Sequence, residues 1–401
     1  MTKKSLILGL GLTGCSFARY LEGEEGLEAY DDRIEKLKDQ PEIQELVSKG
    51  LILNPAPSAE YDCVYLSPGV HPDHPLLQGA GEKIADVELA LRRVQNPLIG
   101  ITGTNGKTTV TELTAFVLQR SGRAARAVGN NGTPILDWAR NPGGEVGVVE
   151  LSSYMLEWTE TPALEGGVIL EITPDHLDRY ASFEAYRAAK LRIRSILKPG
   201  APLYVHESQI VEGAEPFQQF AEDLGLKRPF TFVEENLMAA YSLCRLYGVN
   251  AKEFLKAAEA FQKPPHRLEF VVEKEGVSYF NDSKATNIES TLRAVEVVPS
   301  PIVLIAGGQH KGSSYLPWLE AFKGKVQALC LLGEAAPIIQ KELGEAFETH
   351  CFEDLKSATE FAQSIAKSGG SVLLSPGCAS FDQFENFQKR GEMFKGLLRS
   401  G

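Results

Sequence analysis

The stretch Pro97-Leu98-Ile99-Gly100-Ile101-Thr102-Gly103-Thr104-Asn105-Gly106-Lys107-Thr108-Thr109 joins an apolar run to a glycine-bounded loop. Val110, Leu113, Val117 and Leu118 follow on one helical face. A strand, a glycine turn and an amphipathic helix make the repeating unit of a parallel sheet. The loop's backbone amides would cradle phosphates, Lys107 would neutralise β- and γ-oxygens, and a threonine hydroxyl would meet Mg²⁺. The strict GxxxxGK[ST] spacing is not met, because Ile101 stands where the first glycine belongs. The position of the loop between strand and helix still favours ATP.

Working outward, the same alternation recurs. Ser5–Leu8 precedes Gly9–Gly14, and Val146–Glu150 and Gly167–Thr173 are β-branched runs ending in polar residues. Pro301–Ala306 precedes Gly307-Gly308, Ala328–Leu332 precedes Gly333, and Ser371–Leu374 precedes Ser375-Pro376-Gly377. The pattern predicts an α/β fold with mostly parallel sheets and ligands beyond the carboxyl ends of the strands. Leu268–Val272 and Val277–Phe280 flank Glu275-Gly276 as a hairpin. Arg93–Pro97 and Lys263-Pro264-Pro265 read as linkers, since two prolines cannot continue a helix. Three α/β domains are expected, over residues 1–94, 95–264 and 265–401.

Composition narrows the function. In 401 residues, Lys+Arg 41 against Asp+Glu 53 gives a net charge of -12, which argues against nucleic acid or an anionic membrane surface as partner. The six cysteines form no CxxC or zinc-type pair, as in a reduced, cytoplasmic protein. No run approaches the ~18 apolar residues of a membrane span, and no small-residue cleavage site follows the N-terminal apolar run.

Gly9-Leu10-Gly11-Leu12-Thr13-Gly14 fits GxGxxG, with Asp31-Asp32 closing the next strand. Alone it suggests a dinucleotide such as NAD, its pyrophosphate at the helix N-terminus. A dehydrogenase would leave the second loop idle, whereas an ATP-driven ligase acting on a nucleotide-linked substrate uses both. A nucleotide-gated binding protein without turnover is the non-enzymatic alternative.

Further chemistry lies at strand ends. Glu150 stands where a P-loop enzyme keeps a Mg²⁺-directed carboxylate. Asp175-His176-Leu177-Asp178 offers oxygen and nitrogen ligands. On an expected helix Phe183–Leu197, Lys190 lies within the stripe of Phe183, Tyr186, Ile193 and Leu197. Two readings stay open there: a packed stem with its head in water, or a partly neutral amine at low dielectric, able to add CO₂ as a carbamate. In the last domain Asn281–Asn287, Gly307–Gly312 with Lys311, and Ser375–Phe381 with Ser380 are polar loops after strands. Lys311 would bind an anionic substrate, with Ser380 donating alongside.

Gly103–Thr109, DHLDRY at 175–180, YRAAKLRI at 186–193, His266-Arg267, NDSKATN at 281–287 and SPGCASFDQFENF at 375–387 occur in this order. Together they resemble the Mur ligases, and among them the type that adds D-glutamate. The resemblance implies an N-terminal Rossmann-like domain that binds UDP rather than NAD, a central P-loop ATPase-type domain and a C-terminal Rossmann-like domain. It implies ATP, two Mg²⁺ ions, CO₂ as a lysine carbamate, and UDP-N-acetylmuramoyl-L-alanine and D-glutamate as substrates of a cytoplasmic monomer. Leu12, Thr13, Asp31, Arg33 and Ser67 would hold the uridine diphosphate, and Asn130 and Ser152 would lie on the muramoyl side. Gly103, Thr104, Asn105, Gly106, Lys107, Thr108 and Thr109 would bind phosphates, with Asn236, Arg267, Asp282 and Lys284 on the ATP side. Thr108, Glu150, His176 and carbamylated Lys190 would surround the metals. Lys107, His176, Lys190 and Lys284 would be catalytic, and Thr286, Lys311, Ser380, Phe381 and Phe387 would bind the amino acid. Met155, Glu171 and Asn131 depart from the family pattern, away from the phosphate and metal positions, so changed affinity rather than lost activity is expected.

Overall fold

Ser5–Leu8 forms β1, buried at all four positions. It is the central strand of a parallel sheet with β2 (Leu27–Tyr30), β3 (Ile52–Leu53), β4 (Tyr61–Leu66) and β5 (Ala80–Ala85), in the order β3-β2-β1-β4-β5. The computed structural model describes residues 4–399 apart from positions 59, 131, 178 and 263. Asn131, Asp178 and Lys263 of the sequence reading therefore lie outside the described residues. Strand order reverses between β1 and β4, the place where doubly wound sheets open a crevice. Gly9 and Ser67 follow those two strands. Gly14, in the helix Leu12–Tyr20, is required there, because a Cβ would overlap the carbonyl oxygen of Gly9. Gly14→Ala should lower stability by ~1–3 kcal/mol through overpacking, read as a lower denaturant midpoint; an unchanged midpoint would mean the loop can give way.

The second sheet is parallel throughout. Its strands are β6 (Leu98–Thr102), β7 (Ala125–Gly129), β8 (Val146–Glu150), β9 (Gly166–Ile169), β10 (Leu203–Val205) and β11 (Glu215–Pro216), in the order β11-β10-β9-β6-β8-β7. Val110, Leu113, Val117 and Leu118 are buried as their spacing requires, packed in one cluster with Ile99, Ile101, Met238 and Leu243. The last two belong to the helix Phe232–Cys244, which opens with a Thr231–Glu234 capping box. β9 is shorter than the apolar run suggests: Leu170–Thr173 leaves the sheet, and the Leu170 N–H bonds back to Thr102. The expected helix Phe183–Leu197 also changes character, being α-helical over Phe183–Leu191 and 3₁₀ over Arg192–Ile196. The sequence carries no proline or glycine to mark that change.

The third sheet contains β12 (Glu269–Lys274), β13 (Val277–Asn281), β14 (Ile302–Gly307), β15 (Val326–Leu332), β16 (Glu348–Phe352) and β17 (Ser371–Leu374), in the order β12-β13-β17-β14-β15-β16. The expected hairpin is the β12/β13 pair, the one antiparallel strand pairing among the described residues of this sheet. Its turn residues Glu275 and Gly276 both have positive φ, as a tight hairpin turn requires. Adjacent β13, β17 and β14 bring together the loops that follow them.

The chain forms two compact units. One runs through Ile172 and resumes at Arg187–Phe261, holding the first two sheets. Those sheets are tied by Glu88, which accepts from Glu160 N (2.8 Å), Thr161 N (3.1 Å) and the Thr161 hydroxyl (2.7 Å), and by Arg19, bidentate on Asp137. The other unit holds the third sheet together with Thr173–Tyr186, a segment that chain order alone would give to the central domain. Among the described residues no helix is long and apolar enough to cross a membrane.

Candidate active site

In the first unit the loop after β6 opens with Gly103 (φ +141°) and closes with Gly106 (φ +86°), which caps the helix Lys107–Arg120. Neither position accepts a side chain, since a Cβ on Gly103 would meet Leu170 and one on Gly106 would meet the Asn236 carboxamide oxygen. Asn236 is thus packed on the loop from a helix far along the chain. Thr104 N bonds to the Glu171 carbonyl at 2.9 Å, so the departure at Glu171 leaves its backbone contact in place. The Lys107 ammonium donates to Gly103 O (2.9 Å) and Thr104 O (2.7 Å), lying along the loop that would hold phosphates. Asn105 and Thr109 are half-buried in the same turn.

Thr108, in the first turn of the helix after β6, meets Glu150 at the end of the adjacent strand β8. The hydroxyl donates to Glu150 Oε2 at 2.7 Å, and Asn130 Nδ2 donates to Oε1 at 2.8 Å, with Glu150 buried. Lys190 is 2% exposed, which removes the reading of a lysine head in water. Ser152 spends its oxygen as acceptor for Met155 N at 3.2 Å, capping a short helix, and Met155 itself is buried.

At the first loop, Asp31 braces the backbone. Its Oδ2 accepts from Leu10 N (2.8 Å), and Oδ1 accepts from Arg33 N (2.8 Å) and Arg33 Nε (3.2 Å). These bonds hold the carboxyl below the usual range although burial opposes them. Ser67 donates to Gly9 O at 3.0 Å. Leu12 and Arg33 are exposed and Thr13 half-buried beside them.

In the second unit, Asp175 is the centre of a polar cluster. Asn287 Nδ2 donates to its Oδ2 at 3.0 Å, Lys311 Nζ lies 3.7 Å from Oδ1, and His176 N donates to Oδ1 at 2.9 Å. His176 has φ +55°, a strained backbone of the kind that clusters at functional sites. Its ring lies 6.0 Å from that of Tyr186. Asp282 accepts from Leu268 N (3.0 Å) and the Ser375 hydroxyl (2.9 Å). Lys284 Nζ sits 4.2 Å above the Phe387 ring, joining a residue expected on the ATP side to one expected on the amino-acid side. Thr286 and Arg267 are half-buried, Ser380 is buried and Phe381 is exposed.

Family models match this chain in three consecutive stretches: the MurD-like N-terminal domain over 3–88, the Mur ligase middle domain over 101–224, and the Mur ligase glutamate ligase domain over 266–378. A UDP-N-acetylmuramoylalanine–D-glutamate ligase of Protochlamydia amoebophila is 40% identical over 440 aligned positions, covering 99% of this chain and 98% of the relative. The protein of that name from Chlamydia pneumoniae is 37% identical, covering 100% and 99%. The chain belongs to the Mur ligases. Solved structures show the same fold: a pseudomurein peptide ligase type C from Methanothermus fervidus (18% identity, TM-score 0.59, 99% of both chains) and a MurF ligase from Thermotoga maritima in complex with ADP (13% identity, TM-score 0.60, 100% of this chain and 98% of that one).

In this Mur ligase the N-terminal glycine loop belongs to a MurD-like domain, and the NAD reading of GxGxxG gives way. The residues at the loop after β6 suit Mg²⁺, an oxygen-seeking ion that takes one or two carboxylates together with substrate phosphates. Thr108 and Glu150 supply a hydroxyl and a carboxylate 2.7 Å apart. Among the described residues no group of three or more His, Cys, Asp or Glu forms a protein-only cage. Sequence reasoning missed Asn287 as a partner of Asp175. Its signal was legible only as a helix cap, for Asn287 Oδ1 accepts from Ser290 N at the start of Ile288–Val297.

The Asp175 cluster has a pH signature. Burial raises this carboxyl, but Lys311, His176 and Asn287 outweigh it and hold it below its ordinary value. A depressed carboxyl contributes stability that is present above the unfolded value of ~4 and is lost as pH falls through the folded one. Lys311→Met should therefore begin to lose stability at a higher pH than the parent in melts run from neutral to acid. Coincident acid limbs would show that Lys311 does not hold Asp175 ionised.

Proposed function

We propose that this Mur ligase joins D-glutamate to the alanyl carboxylate of UDP-N-acetylmuramoyl-L-alanine, with ATP cleaved to ADP and phosphate, in the making of peptidoglycan precursors. The observation that carries this reading is 40% and 37% identity, over the whole chain, to ligases of that name, in a chain whose glycine loop holds Lys107 and whose Thr108 meets Glu150.

A carboxylate is a poor electrophile. The alanyl carboxylate attacks the γ-phosphorus, releasing ADP and giving an acyl phosphate. The D-glutamate amine then attacks the carbonyl carbon, the tetrahedral intermediate expels phosphate, and the nitrogen loses a proton to leave the amide. Lys107 disperses charge on the transferring phosphoryl group. Mg²⁺, when bound, neutralises phosphate oxygens; Thr108 and Glu150 would hold one ion. Buried Lys190, after its amine adds CO₂ and loses a proton, would offer two carbamate oxygens to another. His176 would serve as ligand or orient the reacting carboxylate. Asn236, Arg267, Asp282 and Lys284 serve the nucleotide, and Thr286, Lys311, Ser380, Phe381 and Phe387 the amino acid. Leu12, Thr13, Asp31, Arg33 and Ser67 serve the uridine diphosphate, Asp31 and Ser67 by shaping the loop. Asn130 and Ser152 serve the muramoyl side, and the domains divide near residues 94 and 264.

Phosphate release with ATP, Mg²⁺ and UDP-N-acetylmuramoyl-L-alanine tests the reading against D-glutamate, L-glutamate and no amino acid. Release is expected only when the nucleotide-sugar and D-glutamate are both present. Release that ignores the amino acid would overturn it.

A further inference from the structure

Arg390, on the helix Phe387–Arg399, is 1% exposed and among the largest fully buried side chains of the protein. Its guanidinium has no carboxylate within 4 Å among the described residues. Every partner is neutral: Nε donates to Ser283 Oγ at 3.0 Å, Nη2 to Ser283 O at 2.9 Å and Cys378 O at 3.1 Å, and Nη1 to Ala379 O at 3.3 Å. Burial pushes its pKa down to about 10, which leaves it cationic at neutral pH. Neutral acceptors satisfy the buried cation's hydrogen bonds, while the Asp382 and Asp282 carboxylates favour its charge from beyond hydrogen-bond distance.

The partners lie on the loops of the proposed amino-acid pocket. Ser283 precedes Lys284 and Thr286 in the loop after β13, and Cys378 and Ala379 precede Ser380 in the loop after β17. The Ala379 carbonyl that accepts from Arg390 also accepts from Gln309 N at 2.9 Å, two residues before Lys311 in the loop after β14. Gly308 (φ +130°) allows this approach: a Cβ there would overlap Ala379 O and come within 3.1 Å of Arg390 Nη1. One guanidinium therefore bonds two loops and, through Ala379 O, is linked to a third, and each of the three bears at least one residue expected to contact D-glutamate.

We propose that Arg390 is a positioning residue of the amino-acid pocket: through its hydrogen bonds it sets the spacing of the loops carrying Thr286, Lys311 and Ser380. The inference rests on the pocket assignment made above. Arg390→Lys keeps the charge and loses the planar fork, and Ser283→Ala removes the Nε acceptor together with the hydroxyl's bond to Phe387 O. In steady-state kinetics on the full-length enzyme, Arg390→Lys should raise the KM for D-glutamate about tenfold or more while the KM values for ATP and the nucleotide-sugar stay within about twofold. Ser283→Ala should show the same selectivity with a smaller rise, and it decides the matter alone if the lysine variant does not fold. KM values that rise together, or none that rises, would reduce Arg390 to packing. Should the parent enzyme use a different amino acid, the D-glutamate reading falls, and the same ratios measured with that amino acid still decide the role of Arg390.

Discussion

Lys107→Ala lowers kcat by about a thousandfold or more, the scale lost when a preorganised charge on a transferring phosphoryl group is removed. The wild-type ammonium is held along the loop by Gly103 O and Thr104 O. The loop backbone should survive the substitution, because its shape depends on Gly103, Gly106, Leu170 and Asn236. Stability should be nearly unchanged, and ATP binding weakened far less than turnover. A variant that turns over within about tenfold of the parent would place the charge stabilisation elsewhere.

Lys190→Ala carries the second large effect. A lysine only 2% exposed gains nothing from solvating its head, so its retention at that position calls for chemistry or a strong partner. As a carbamate it presents an anion with two oxygens. Its loss should lower kcat by about a hundredfold or more. The space vacated by the side chain should admit acetate or formate, and either should restore part of the activity in a saturable way. Lys190→Met fills the space and should not be rescued. Undiminished turnover in Lys190→Ala, or equal behaviour of the two variants toward added carboxylate, would remove the carbamate from the account.

Much of the fold is legible because it is local. The run Leu98–Thr102, the glycines that follow and the apolar face of Lys107–Arg120 specify a strand, a turn and a helix with no distant information. Glu150 is similarly visible as the polar end of a β-branched strand. What escapes sequence reasoning depends on partners far apart in the chain. Arg390 reads as an ordinary helix residue until Ser283, 107 positions away, meets its guanidinium. Asp175 and Asn287, separated by 112 positions, meet through tertiary packing that no local pattern encodes. Asp31 illustrates a subtler limit: its spacing from the glycine loop is that of a ribose acceptor, yet both oxygens hold Leu10 and Arg33. The 3₁₀ turn after Leu191 has no breaker residue to announce it, and the assignment of Thr173–Tyr186 to the second unit follows from packing alone.

On the proposed function this chain makes one amide bond, between the alanyl carboxylate of the nucleotide-sugar and D-glutamate. Mass spectrometry of the nucleotide-sugar after incubation with ATP, Mg²⁺ and an equimolar mixture of amino acids that includes both glutamate enantiomers, with isotope-labelled D-glutamate, tests it directly. The account predicts one product, heavier by a single labelled glutamate residue. A product extended by another amino acid, or an unaltered nucleotide-sugar while ATP is consumed, would contradict it.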